Sequence, residues 1–469
     1  MLSYIALSVL VPLLLSSCLA SPLQTPRETT LEKRQSSSMI TFVDLATNTG
    51  NSVHRASGLL YGVPDPGSQI PSSFYTGMGF NHLSAGGAQF PDASGWIGGG
   101  YTGRFQDVLA NYKTAKSFGA QFMLKTSDLW GADATQPSNA IWPGDGGSYA
   151  EYDRFLTQLV SDLKANGMTD IMFLIWNEPD LSIFWAVGID RYLQTWTHTA
   201  NFLKSNLPGV RIAGPSFSSP PNSGNTWWQR WLTECKNSGT APNVYTWHHE
   251  FSTNDNLNDL SVAQPNMVNL INSFGLPMGE FIIDEYGILA EQVPGGAAWW
   301  IGSFERWNMY GLRGNWVSTW KLQDFFAGLL GKTNNNDRFG TGYYSNGEYQ
   351  VYKYYVNTMI GHRVKTTRST DKKMDSYAVV DTHRVRILVG GRQVTGTYQL
   401  TIQNLSVLGL PTSGTITVHT FEFPYTGVTG RVDAPTDLGT VAHTYSGNTL
   451  SFPIFQTSTT TTWAFEFDY

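Results

Sequence analysis

The sequence predicts an α/β protein, a (β/α)8 TIM barrel carrying an accessory antiparallel β-sandwich. Three observations predict it. Over residues 57–361, short apolar and β-branched runs alternate with longer helical patterns, as parallel βα units do. Those runs are nearly continuous, IMFLIW at 171–176 being the clearest, which suits strands covered on both faces. Over 362–469 the texture changes to short alternating strands separated by Gly, Pro and Thr turns, the pattern of a sandwich.

Taken in order, the chain opens with a short apolar stretch at 5–15, followed by Ser16-Ser17-Cys18-Leu19-Ala20. This is too short to span a bilayer and ends in small residues, so 1–20 reads as a cleaved secretory signal. A polar stretch over 21–34 ends in Lys33-Arg34 and reads as a propeptide. Residues 35–56 contain the run MITFVDL, a strand expected to join the sandwich and tie both ends of the chain together. Barrel strands are expected at 58–61, 80–83, 121–124, 171–176, 210–213, 244–247, 281–283 and 314–320. The helix pattern is plainest over 149–166, where Leu and Phe recur at three- and four-residue intervals. Sandwich strands are expected at 377–381, 385–389, 398–402, 414–421 and 463–467.

Composition narrows the partners. Of 469 residues, 41 % are hydrophobic, enough for a large core, and only 14 % are charged. The net charge of -6 argues against nucleic acid or an anionic membrane, which need clustered Lys and Arg. No later run of about 18 apolar residues exists, so no transmembrane helix is expected. Cys18 leaves with the signal, so Cys235 has no partner for an intrachain disulfide. Asn404-Leu405-Ser406 is a glycosylation sequon, in keeping with a secreted, extracellular protein.

Barrel active sites lie at the C-terminal ends of the strands. Two strands run there into carboxylates, one into Asn177-Glu178-Pro179-Asp180 and one into Asp284-Glu285-Tyr286-Gly287. Retaining hydrolysis of a glycosidic bond needs such a pair, an acid for the leaving oxygen and a carboxylate to attack the anomeric carbon. Lys125 and Asp128 end the third strand and either touch sugar hydroxyls or form a surface pair. His248 and His249 are adjacent in a strand and point to opposite faces, so they cannot grip one metal. With no HExxH or CxxC in the chain, no metal site and no cofactor are expected. Gly98, Gly100 and Gly103 spell GxGxxG, but a loop precedes them instead of a strand.

The stretches IWNEPD and FIIDEYG resemble the acid/base and nucleophile strands of the retaining glycoside hydrolases of clan A. Within that clan the chain most resembles glycoside hydrolase family 39, through Ala213-Gly214-Pro215-Ser216, Thr246-Trp247-His248, Trp320 and the C-terminal sandwich. The resemblance implies that Glu178 is the acid/base and Glu285 the nucleophile. It also implies that Asn177 binds the sugar 2-hydroxyl, that His248 lines the subsite and that Trp320 floors it. Trp320 has a second reading as ordinary barrel core. One departure stands out. Family 39 members commonly carry His-x-Tyr where this chain has His248-His249-Glu250. Glu250 either turns outward to solvent or accepts hydrogen bonds from the sugar. The expected function is a secreted, retaining, exo-acting glycosidase of plant or microbial polysaccharides or oligosaccharides, with carbohydrate as its partner. An endo-acting hydrolase and a non-catalytic carbohydrate-binding barrel are the alternatives. Neither the sugar nor the oligomeric state follows from the family name.

Overall fold

The computed structural model describes residues 39–91, 93–250 and 256–469, so the signal and propeptide stretches lie outside the described residues. Eight parallel strands close into a barrel. They are Gly58–Leu59, His82–Ala85, Gln121–Lys125, Ile171–Leu174, Arg211–Phe217, Val244–His249, Glu280–Tyr286 and Tyr310–Arg313. Leu60, Met123, Met172, Leu174, Ala213, Val244, Ile282 and Leu312 fill the interior. Their neighbours Phe122, Leu124, Phe173 and Ile283 face the helices. Strands such as Gln121–Lys125 and Ile171–Leu174 are therefore apolar on both faces, which is why their runs are continuous instead of alternating.

The helices dock by one face. Ala150–Ala165 buries Tyr152, Phe155, Leu156, Leu159 and Leu163 at helical spacing. Thr226–Ser238 starts where the Asn225 side chain accepts from the Trp227 amide at 2.8 Å, and stops at Gly239 with φ 67. The glycines of GxGxxG open the helix Tyr101–Ser117. A Cβ on Gly100 would sit 2.4 Å from the Ser94 amide nitrogen, so close backbone approach explains that residue.

Two barrel strands start two or more residues from where they are expected. The second starts at His82, two residues late. The eighth is Tyr310–Arg313, where 314–320 was expected. The reason lies in the backbone: Trp316 and Thr319 take φ of 52 and 63, which no strand accommodates.

Beyond the barrel lies a nine-stranded, mostly antiparallel sheet. Its strand Ile40–Asn51 pairs antiparallel with His362–Thr367 and parallel with Gly396–Gln403, so the sheet is not wholly antiparallel. His443 of the terminal strand Thr436–Tyr445 stacks at 4.8 Å on Phe452 of the opposite terminal strand, Thr449–Gln456. The sheet therefore folds over onto itself, around Val43, Ile387, Leu400, Phe452 and Phe465. Helix Pro294–Trp307 packs against the strands Met374–Val380 and Arg384–Gly391, joining barrel to sheet. Arg306 Nη1 donates to Asp375 Oδ2 at 2.8 Å across that seam.

Candidate active site

The two carboxylates meet at the C-terminal mouth of the barrel. Glu178 stands four residues beyond the fourth strand, at a φ of 43 that a non-glycine residue rarely adopts. Its amide donates to the Ser216 carbonyl at 2.9 Å, which fixes that turn against the fifth strand. Glu285 lies on the seventh strand opposite His248 of the sixth, beside a register shift that re-aims the strand end. His248 Nδ1 reaches Glu178 Oε1 at 3.0 Å and Glu285 Oε2 at 3.7 Å.

A ring of buried donors holds the pair. Lys125 Nζ donates to Glu285 Oε1 and to Asn177 Oδ1, both at 2.7 Å. Tyr61 OH donates to the same Glu285 oxygen at 2.8 Å. One Glu285 oxygen is thus tied twice, and the other faces His248. Behind the imidazole, Ser216 Oγ lies 3.0 Å from His248 Nε2 and donates to Asp284 Oδ2 at 2.6 Å.

Electrostatics divide the groups. Burial, helped by the charge of Glu285, raises the Glu178 carboxyl above its ordinary range, and His248 only partly opposes this. Burial works against a charge on His248, yet Glu285 and Asp284 push it well above its usual value. For Asp284, burial works upward, but His248 and Lys125 hold the carboxyl low. Burial likewise disfavours the Lys125 cation, and Glu285 and Asp128 more than restore it. The site holds one carboxyl biased toward its neutral form beside another clamped by cationic donors. General acid catalysis alongside nucleophilic attack calls for that division.

The other predicted residues fall as follows. Glu250 points inward. Glu178, His248 and Glu250 place ligand atoms within 4.8 Å of one another. Glu250 Oε1 is buried with no hydrogen-bond partner among the described residues, and burial together with the Glu285 charge pushes its carboxyl well above the ordinary range. That trio has the spacing of a metal site; here His248 Nδ1 faces Glu178 at 3.0 Å and Nε2 faces Ser216 at 3.0 Å. His249 faces away, hydrogen-bonded to Trp247 and Asn258, and burial drives its pKa down to about 3. Asn404 is half-buried and its Nδ2 donates to Asp44 Oδ1 at 2.7 Å.

Trp320 is a correction. It sits in the short 3-10 helix Thr319–Gln323, beyond the eighth strand, and lines a small hollow with Phe90, Asp324 and Phe339. The indole at the mouth is instead Trp316, set edge-on to Tyr61 at 6.2 Å and anchored by its Nε1 to the Gly287 carbonyl at 2.6 Å. Sequence reasoning missed Tyr61, Asp284 and Trp316 as site residues. The first two were legible as polar residues at barrel strand ends.

Comparison with known proteins agrees with the barrel-and-sheet architecture. The family described as glycosyl hydrolases family 39 matches residues 145–274, a span that holds Glu178, His248 and Glu250 and stops short of Glu285. A 3-O-α-D-galactosyl-α-L-arabinofuranosidase from Bifidobacterium longum subsp. longum is 24% identical over 464 residues, covering 84% of this chain. The chain spans 37% of that relative's length. Among solved structures, N2152 from Neocallimastix frontalis shares 21% identity at a TM-score of 0.71, covering 91% of this chain and 98% of its own. A monomeric β-xylosidase from Caulobacter crescentus CB15 shares 15% identity at a TM-score of 0.56, covering 92% and 99%. Barrel, paired carboxylates and the partial family match make the chain similar to the glycoside hydrolases of clan A. Within that clan the chain is most like family 39.

Proposed function

We propose that the protein is a secreted, retaining, exo-acting glycosidase that cleaves O-glycosidic bonds of plant or microbial polysaccharides or oligosaccharides. One observation carries the retaining mechanism. A single nitrogen, His248 Nδ1, is in reach of both Glu178 and Glu285, at 3.0 and 3.7 Å. The sum of those contacts caps the separation of the facing oxygens. Retaining pairs stand roughly 5–5.5 Å apart and inverting pairs roughly 6.5–9.5 Å. The cap falls at the bottom of the inverting range, and any bend at the nitrogen brings the oxygens closer.

In this mechanism Glu285 attacks the anomeric carbon through Oε2, while Tyr61 and Lys125 hold Oε1 in place. Glu178 gives its proton to the leaving oxygen, so the carbon–oxygen bond breaks as the glycosyl–enzyme ester forms. Water then enters, Glu178 takes its proton, and the ester opens with the original configuration restored. Asn177, held by Lys125 at 2.7 Å, presents its amide to the sugar 2-hydroxyl. Secretion is supported by the apolar N-terminal stretch alone. Pentose-bearing glycans head the substrate panel, because the named relatives act on arabinofuranosides and xylosides. Proton NMR of the first-formed sugar from an activated aryl glycoside tests the mechanism. The retained anomer is expected, and the inverted anomer overturns the two-glutamate scheme.

A further inference from the structure

Beside the carboxylates lies a cavity of about 620 Å³, whose walls include Tyr61, Gln89, Asp128, Asn177, Trp316 and Thr319. A pyranose of about twelve non-hydrogen atoms, each given at most the roughly 30 Å³ of one liquid water, fills no more than about 360 Å³. The cavity is too large for one ring. Its position sets which part of a substrate enters. The leaving group departs past Glu178, which protonates it. Tyr61 hydrogen-bonds Glu285 instead, and in the mechanism proposed above Asn177, which also lines the cavity, presents its amide to the sugar being transferred. The space beyond Tyr61 and Asn177 therefore belongs to the glycosyl side of the bond.

The walls are built and not incidental. Tyr61, Gln89, Trp316 and Thr319 all hold left-handed backbone, with φ of 67, 51, 52 and 63. Such strain in non-glycine residues concentrates at ligand clamps. Two hydrogen bonds lace the walls together: the Thr319 amide donates to Gln89 Oε1 at 2.9 Å, and Gln323 Nε2 donates to the Ala88 carbonyl at 3.1 Å. Asp128 is 3% exposed, and its Oδ2 has no hydrogen-bond partner among the described residues.

We infer that this cavity is a second sugar subsite on the glycosyl side, with Asp128 and the Gln89 wall as its polar contacts, so that the enzyme transfers a disaccharide unit in preference to a single sugar. The inference rests on the glycosidase reading above. Its test compares p-nitrophenyl glycosides in pairs: α-L-arabinofuranoside against its 3-O-α-D-galactosyl derivative, and β-xyloside against β-xylobioside. For at least one pair, kcat/KM on the disaccharide member is expected to exceed that on the monosaccharide member by about tenfold or more. Asp128→Asn and Gln89→Ala are expected to shrink that ratio by roughly the same factor. Melting curves establish that each variant is folded, and Gln89→Ala carries the test if Asp128→Asn does not fold. Equal rates within both pairs, or a ratio unmoved by the folded variants, overturns the subsite and leaves the glycosidase standing. No turnover of any of the four glycosides overturns the subsite for these sugars, and the glycosidase reading then stands or falls with the rest of the substrate panel.

Discussion

At the scale of single residues, the proposed mechanism rests on asymmetry between two glutamates. Glu285 carries two donors on one oxygen, whereas Glu178 is biased toward its proton by burial. Glu285→Ala is expected to lower kcat by about 10³-fold or more on every glycoside, because no covalent intermediate can form. Glu178→Ala is expected to match that loss on substrates with poor leaving groups and to spare the first step on activated aryl glycosides. Equal loss across leaving groups, read by burst kinetics, would remove Glu178 from the acid role. Glu250 adds a third carboxyl, held neutral by burial and by Glu285 up to well above the ordinary range. Burial and the Glu285 charge both favour a protonated Glu250, for which Gln is a neutral isostere. Glu250→Gln is therefore expected to leave both limbs of the kcat/KM profile where they are. A limb that moves would show that Glu250 is an anion in the working enzyme. The positions of Glu178, Glu285 and Asn177 were readable because a strand run ends directly in them. Trp316 was not, since only the left-handed backbone of its loop brings it to the mouth, and four residues further on Trp320 offered the same letter.

Among the secondary-structure elements, the strands that escaped the sequence did so for different physical reasons. Thr436–Tyr445 leaves most of its residues exposed, so no apolar alternation marks it. Thr449–Gln456 does alternate, burying Leu450, Phe452 and Ile454, but Pro453 interrupts the run. Proline is tolerated on a sheet edge, and this strand lies at one end of the sheet order. Helix Tyr101–Ser117 carries a comparable exception in Asp107, buried on its inner face. One of its oxygens accepts from Asn111 Nδ2 at 3.2 Å and the other has no partner among the described residues. Burial, aided by Asp65, lifts this carboxyl to about 8. Its folded pKa lies above the unfolded one, so its stabilising effect is complete at low pH and fades as pH rises toward 8. Asp107→Asn removes the charge without changing the shape. Its melting temperature is expected to gain on the wild type at pH 8 and not at pH 5, by about 2 °C or less for each kcal/mol recovered. A gain of the same size at both values would contradict the assignment.

The whole molecule depends on the seam between barrel and sheet. Gly390 lies so close to helix Pro294–Trp307 that a Cβ there would stand 2.2 Å from the Trp299 backbone nitrogen. Backbone cannot rotate away as a side chain can. Gly390→Val is therefore expected to cost at least the roughly 1–3 kcal/mol of an overpacked core, and calorimetry should show a lower melting temperature. An unchanged melting temperature would mean that the seam has slack. The alternation of βα units announced the barrel, and the later texture announced the sheet. Their joining was less legible, because the contacts that make it are far apart in sequence.

The strand Ile40–Asn51 carries this furthest. Thr41 Oγ1 donates to the Thr367 carbonyl across 326 residues of chain, and the strand's other edge pairs with Gly396–Gln403. During synthesis it leaves the ribosome before either neighbour exists. Both its edges stay bare while the entire barrel is translated, a template for pairing with other chains. Closing the sheet is a late, long-range event by its topology. For this protein the hazardous interval is the time between making the first strand and making the ones that shield it, and its yield depends on what covers Ile40–Asn51 in the meantime.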